Sequence, residues 1–387
     1  MPESQVTVSQ RGADRLAAGH FWIYRSDIRS ADAASGDVVR LLDERGRFLG
    51  RAFFSDRSQI ALRLVTHEDV PVDRAYLAAR LRCAADFRRR VVENSEVFRL
   101  MYGESDGIPS LVVDRYGDYF SIQTLSQAAE RLKPEIVDLL NELFSPRGIV
   151  ERNDPKVRLL EGLEQNVSLL SGQVPPDVIA HENGVRLHFD LFHGQKTGSF
   201  LDQRENHREA ARFAAGEALD CFTYNGAFAL HLAARAASVE ALDLSPAALE
   251  CGRKNAALNG LSNVTFREAN AFDALKQYDD SGRKFDVIVL DPPAFAKNRA
   301  SVPAARRGYK EINLRAFKLL RSGGSLVTCS CSHHIPESLF LEVVAEAAND
   351  ARRTAVVVER RTQAMDHPIL LTLPETHYLK CLIIKAL

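Results

Sequence analysis

Glu217-Ala218-Leu219-Asp220-Cys221-Phe222-Thr223-Tyr224-Asn225-Gly226-Ala227-Phe228 decides the fold. It reads as a short apolar strand, a tight loop with a single glycine, and the first turn of a helix. That arrangement builds a ligand pocket at the carboxyl edge of a parallel sheet. From Ala218 onward, short apolar strands at 238–242, 264–268, 286–290 and 323–328 alternate with helical stretches such as 246–259. The alternation is that of a doubly wound α/β sheet. The loop is not GxGxxG, so a dinucleotide pyrophosphate would lack its usual close backbone approach. A cofactor without phosphates fits better, and Asp220 suits a cationic amino acid moiety.

The strand ends carry the remaining chemistry. Asp243 closes the second strand about 20 residues after the loop, where an acidic side chain accepts hydrogen bonds from ribose hydroxyls. Ser245 before Pro246 reads as a helix N-cap with proline at the first helical position, which leaves Asp243 for the ribose. The third strand ends at Asn270-Ala271-Phe272-Asp273, polar groups placed for an adenine amino group. The fourth runs into Asp291-Pro292-Pro293-Ala294-Phe295, where two prolines hold a rigid, extended loop at the ligand edge. The fifth leads into Cys329-Ser330-Cys331-Ser332-His333-His334.

Upstream, residues 1–70 read as short strands between Gly and Asp turns, a small β-barrel. His20-Phe21-Trp22-Ile23-Tyr24 holds the only Trp and reads as a plug in its core. Residues 72–92 are helical and end in Arg88-Arg89-Arg90, a run that reads as a solvated face. Strands at 98–102, 111–114, 119–124 and 148–152 with an amphipathic helix over 127–144 make a central α+β block. Glu182-Asn183-Gly184 between apolar alternations signals a hairpin. The expected domains are thus 1–70, 71–175 and 176–387.

The 387 residues carry a net charge of −1, which does not announce a nucleic-acid binder. Residues 1–100, however, hold 17 Arg and no Lys against 14 Asp plus Glu. Arg forks suit phosphates and base edges better than Lys point charges. The polar N-terminus lacks a signal-peptide apolar region, and no apolar run reaches the roughly 18 residues a membrane helix needs. Six Cys without any CxxC pair read as reduced thiols in the cytoplasm and give no structural metal site.

At this point the sequence resembles class I S-adenosylmethionine methyltransferases, and more closely the bacterial family of 23S rRNA 5-methylcytosine methyltransferases. Gly36-Asp37-Val38-Val39 and Ser58-Gln59-Ile60 resemble that family's N-terminal PUA domain. Gly103-Glu104-Ser105-Asp106-Gly107-Ile108-Pro109, Asp114-Arg115-Tyr116-Gly117-Asp118 and Glu161-Gly162-Leu163 resemble its central domain. Gly194-Gln195-Lys196-Thr197-Gly198 with Phe200-Leu201-Asp202-Gln203-Arg204 resembles the start of its catalytic domain. Asp366-His367-Pro368 and Tyr378-Leu379-Lys380 match its C-terminal end. Asn225, where Thr is commoner, and Ser199, where an aromatic is common, depart from the pattern.

The resemblance implies a Rossmann-like methyltransferase domain behind a PUA domain and a small central domain. It implies S-adenosylmethionine as cofactor, held by Phe200, Gln203, Asp220, Phe222, Tyr224, Asn225, Gly226, Asp243, Leu244, Asn270, Ala271, Phe272 and Asp291. Pro292, Pro293, Phe295 and Lys297 would face the substrate, 23S rRNA, naked or in an assembling subunit. A homodimer is an arrangement open to the chain, and no metal or membrane is expected. Cys331 falls at the nucleophilic Cys of RNA 5-methylcytosine enzymes, and Asp291 at the matching carboxylate. A thiolate there would add to carbon 6 of cytosine and activate carbon 5. Cys329, one strand period earlier, is the less advanced towards the ligand edge. Ala294 stands where many cytosine-methylating enzymes have a second Cys, so the base for the carbon 5 proton is not identified. Phe295 is expected either to stack a turned-out base or to pack beneath the proline loop. The alternatives are methylation of an exocyclic amine, and an assembly factor that binds cofactor and RNA without turnover.

Overall fold

The computed structural model describes residues 3–387. Its contacts divide the chain into two compact units. The first holds the chain up to His181, together with 189–201 and 365–376; the second holds 182–188, 202–364 and 377–387.

In the first unit, Gln5–Val8, Trp22–Tyr24, Ile28–Asp32, Val38–Leu42, Phe48–Phe54 and Ile60–Thr66 form one six-stranded sheet. Every neighbouring pair is antiparallel except Gln5–Val8 with Val38–Leu42. Val6, Val8, Ile23, Val39, Leu41 and Leu62 are buried in its core. A helix the strand pattern does not announce, Gln10–Ala17, is started by Ser9, whose hydroxyl accepts from Gly12 N–H. Trp22 is not the expected core plug. Ile23 fills the core, while Trp22 is half-buried and donates through Nε1 to Glu104 at 2.9 Å. The indole N–H needs a polar partner, and an aliphatic side chain does not.

The Arg excess of this region is used largely within the fold. Arg11 pairs with Asp27, Arg29 with Glu44, Arg47 with Asp43, Arg40 and Arg51 with Asp69, and buried Arg63 with buried Glu161.

A second sheet joins Val97–Tyr102, Leu111–Tyr116, Tyr119–Thr124, Gly148–Asn153 and Asn166–Gly172 in that spatial order. Helices Arg74–Val91 and Gln127–Phe144 bury Leu77, Leu81, Ile136, Leu139 and Leu140 in the same core. Asp73 and Ser126 cap them through side-chain oxygens. The basic run at the end of the first helix splits. Arg89 is an exposed partner of Asp86, but Arg88 is 1% exposed and grips Asp106 with two hydrogen bonds of 2.6 and 2.7 Å. Arg88 also donates to Arg99 O and Asp366 O. Arg99 pairs with Asp114, which accepts Thr197 Oγ1 at 2.5 Å, and Asp366 accepts Arg99 N–H at 2.7 Å. Four motif segments far apart in sequence therefore meet in one polar network. Segments 189–201 and 365–376, expected with the third domain, fold with the first unit for this reason.

The chain passes between the units at the hairpin Val178–Glu182 and Val185–Phe189, with Asn183 at φ 49° and Gly184 at φ 88°. Positive φ at both central positions is what Asn-Gly supplies.

The second unit is built on one seven-stranded sheet. Its strands are β1 Glu217–Cys221, β2 Ser238–Asp243, β3 Val264–Glu268, β4 Phe285–Leu290, β5 Leu320–Ser330, β6 Ala355–Arg361 and β7 Lys380–Ala386. The spatial order is β3-β2-β1-β4-β5-β7-β6. β1 to β5 are parallel, and β7 runs antiparallel to both β5 and β6. Strand order reverses between β1 and β4, which opens a crevice beyond their carboxyl ends. Leu219, Ile288, Leu290, Leu326, Ile384, Phe317 and Phe340 lie in the core beneath it. Among the described residues, no helix is long and apolar enough to cross a membrane.

Beside β1, three buried groups cluster. His207 and Glu182 share a hydrogen bond of 2.6 Å, and His231 Nε2 lies 4.0 Å from the same carboxylate. His231 Nδ1 faces Ala227 O at 2.7 Å, and burial lowers its pKa, so the ring is neutral. Glu182 is held as a carboxylate chiefly by His207 against the cost of burial.

Candidate cofactor and catalytic site

The β1 loop is strained. Phe222 and Tyr224 hold φ of 65° and 51°, and Gly226 follows at 87°. Non-glycine residues in this region cost on the order of 1 kcal/mol or more, and such strain gathers at ligand sites. A Cβ at Gly226 would come within 2.9 Å of the Phe266 ring, so the loop needs glycine there. Asp220 anchors the loop from below. Its Oδ2 accepts Thr223 Oγ1 at 2.5 Å and Ala229 N–H at 3.0 Å. Its Oδ1 is buried and, among the described residues, has no hydrogen-bond partner. Burial, with the Asp291 charge adding to it, raises the Asp220 pKa to about 7. Buried Asn225 gives its carbonyl to Asn255 Nδ2 at 2.9 Å.

Asp243 is not free in the way the sequence suggests. One oxygen accepts Tyr224 N–H and the other Ser245 N–H, both at 2.9 Å, while Ser245 caps the next helix as expected. Each carboxylate oxygen retains a second acceptor direction. Leu244 beside it is 63% exposed. Asn270 caps the helix Ala271–Ser281 by accepting Phe272 N–H. Its side chain thus has a structural duty that the adenine reading overlooked. Ala271 is buried and Phe272 is partly buried in the core. Gln203 is buried and accepts Asn206 Nδ2 at 2.6 Å. Phe200 falls in the first unit, where Lys196 Nζ sits 4.7 Å from its ring centre.

At the ends of β4 and β5, adjacent parallel strands present Asp291 and Cys331 at one edge of the sheet. Cys329 lies inside β5, fully buried, its thiol pKa pushed well up by burial. Cys331 is the first residue past the strand, partly exposed, with Sγ 3.8 Å from Pro292 O. Ser332 ties the two loops together: its Oγ accepts Ala296 N–H at 3.1 Å and meets Tyr309 Oη at 2.9 Å. Ser330 Oγ donates to Tyr309 Oη at 3.0 Å. Burial raises the Tyr309 pKa to about 12, so this tie stays protonated. Phe295 packs at 4.6 Å on Tyr309 and 5.9 Å on Phe272, which makes it a support beneath the proline loop. Pro292 is buried beside it, and Pro293 and Lys297 are exposed. His333 and His334 are edge-to-face neighbours.

Tyr309, Ser332 and Lys380 did not enter the sequence-based site. Lys380 is 5% exposed and donates to Ser332 O and Tyr378 O, each at 2.8 Å. Burial lowers its pKa to about 8. The Tyr378-Leu379-Lys380 match was the only sequence signal for it.

Comparisons with known proteins establish the family. Residues 164–376 match the model of the S-adenosylmethionine-dependent methyltransferase family, and residues 6–67 that of the PUA-like domain. A protein of Shewanella amazonensis named ribosomal RNA large subunit methyltransferase I is 42% identical over 377 residues, 95% of both chains. The chain belongs to this methyltransferase family. A Tolumonas auensis protein of the same name is 41% identical over 383 residues, 96% of both chains. A chain crystallised with SAH superposes with a TM-score of 0.85 over 98% of this chain and 99% of its own. At 21% identity that likeness bears on the fold alone. The methyltransferase uses S-adenosylmethionine, and its residues fit that cofactor. The unpartnered oxygen of buried Asp220 offers an acceptor for an ammonium group, at a loop with no phosphate cradle.

Proposed function

We propose that this methyltransferase forms 5-methylcytosine in large-subunit ribosomal RNA, with Cys331 as covalent nucleophile and Asp291 supporting the ring. The observation that carries this reading is the placement of Cys331. Of the two thiols in its motif, it is the one past the strand end, on the edge where Asp291 ends the neighbouring strand. The relatives' name, ribosomal RNA large subunit methyltransferase I, supports the substrate class. The PUA-like domain supports it too.

Asp220, the β1 loop, Asp243 and Gln203 would hold S-adenosylmethionine, which supplies an electrophilic methyl group on sulfonium sulfur. Cys331 adds as thiolate to carbon 6 of the cytosine, and the ring electrons shift to carbon 5, which becomes nucleophilic. Asp291 steadies the ring at nitrogen 3. After carbon 5 gains the methyl group, a base takes its proton, the electron pair restores the ring double bond, and the carbon–sulfur bond breaks to release Cys331 as thiolate. Tyr309, Ser330 and Ser332 fix the two loops so that neither carboxylate nor thiol need be ordered during reaction.

RNA carrying 5-fluorocytosine at the target is expected to trap the enzyme as an adduct stable to denaturing gels, because fluorine cannot leave as a proton does. Turnover of that RNA without any adduct would instead favour transfer to the exocyclic amine.

A pH dependence follows from Asp220. Its carboxyl titrates near 7 without cofactor, and the charged form is the one a cationic ammonium group selects. Affinity for S-adenosylmethionine should therefore fall by roughly eight- to tenfold between pH 7.5 and 6. Calorimetric titration checks this, and Asp220→Asn should flatten the profile. The linked stability runs the other way. A carboxyl whose folded value lies above its unfolded value near 3.8 favours the cofactor-free fold at low pH, and that contribution is lost as pH rises through about 7.

A further inference from the structure

We infer that Lys380 is a positioning residue for the covalent step: its ammonium is the counter-charge that keeps Cys331 as thiolate. The inference rests on the proposed role of Cys331.

Lys380 opens β7, and in the antiparallel ladder it stands opposite Ser330, the residue before Cys331. Its side chain reaches past the strand end to Ser332 O, the residue after Cys331, and to Tyr378 O. Two of its three N–H donors are thus committed to backbone carbonyls, which fixes the nitrogen beside the thiol-bearing turn. The side chain is buried, and the two hydrogen bonds it donates both go to neutral carbonyls. A buried ammonium held only by neutral carbonyls is costly, and the cost falls if an anion forms nearby. The charges that act favourably on Lys380 are those of Cys331 and, from the helix Glu337–Asp350, Glu337. Tyr309, from the helix Val302–Leu319, also faces Cys331 but stays neutral. Burial outweighs the Cys331 and Glu337 charges and lowers the Lys380 pKa to about 8, so the amine and the ammonium are both within reach near neutral pH. Starting from the thiol and the neutral amine, the S–H bond of Cys331 breaks, its proton passes to the lone pair of Lys380 Nζ, and the third N–H bond forms there. When Cys331 leaves carbon 6 it again has its counter-charge, and no second thiol is needed to expel it.

The test is the rate of iodoacetamide alkylation against pH, read on the Cys331 peptide by mass spectrometry in the full chain. In the wild type the midpoint should lie clearly below the ordinary thiol value of about 8.5. In Lys380→Met it should rise by about one pH unit or more, with roughly tenfold slower alkylation at pH 7. Lys380→Arg, which keeps the charge, should restore most of the shift. Unchanged S-adenosylmethionine binding in Lys380→Met shows that the variant is folded. A wild-type midpoint at the ordinary thiol value, or a midpoint that ignores Lys380→Met, overturns the inference. The wild-type reading needs no variant to fold. Failure of the covalent mechanism itself would appear elsewhere, as Cys331→Ala retaining methyl transfer while the alkylation profiles stand.

Discussion

Cys331→Ala is expected to lose methyl transfer to ribosomal RNA by roughly 10³-fold or more, while S-adenosylmethionine binding and thermal stability stay near wild type. Cys331 is partly exposed, and its thiol makes a long contact of 3.8 Å to Pro292 O, so the truncation removes only one small sulfur atom from a partly open site. Cys329→Ala gives the contrast. Cys329 is fully buried opposite Cys381 in the β5–β7 ladder, so its loss should act on stability and much less on chemistry. Single-turnover methyl transfer and thermal unfolding, run on both variants, separate the two roles. Equal rates for Cys331→Ala and wild type would refute the covalent route.

The second large effect is on stability. Arg88→Met should cost about 3–5 kcal/mol, the range for leaving one member of a buried ion pair alone. Asp106 is 7% exposed, and without Arg88 it keeps only a backbone contact, accepting Tyr102 N–H at 2.7 Å. Asp366 O and Arg99 O each lose the hydrogen bond from Arg88 as well. The double variant Arg88→Met/Asp106→Leu should recover much of the loss, because no charge is then buried unpaired. Denaturant unfolding of the singles and the double measures the coupling. Additive losses would mean that the pair contributes no coupling of its own.

The alternation of short apolar strands with helices made the parallel core of the second unit legible, and β1 and β3 fall at the expected residues. Ser245 with Pro246, and Asn-Gly in the hairpin, likewise carried enough local chemistry to place a cap and a turn. β6 and β7 were not placed, since an antiparallel pair at the sheet edge follows no β-α-β rhythm. The short helix Gln10–Ala17 was hidden by Gly12 and by its small number of apolar residues. In the site, the structural duties of the named residues were not readable. Asp243 and Asn270 each satisfy backbone amides, and Phe295 supports a loop, because these jobs depend on neighbours distant in sequence. Arg88 misled for a similar reason: a run of three arginines looks solvated unless the carboxylate waiting for one of them is known.

The excursion of 365–376 out of the β6–β7 connection bears on how this protein can be dissected. No single cut yields both pieces whole. A fragment beginning after the hairpin would carry Asp366 and His367 away from Arg88 and Arg99, with polar atoms stripped of their mates and Leu373 laid bare. Exchange of the first unit between such enzymes, attractive as engineering, therefore requires transplanting three stretches of chain at once.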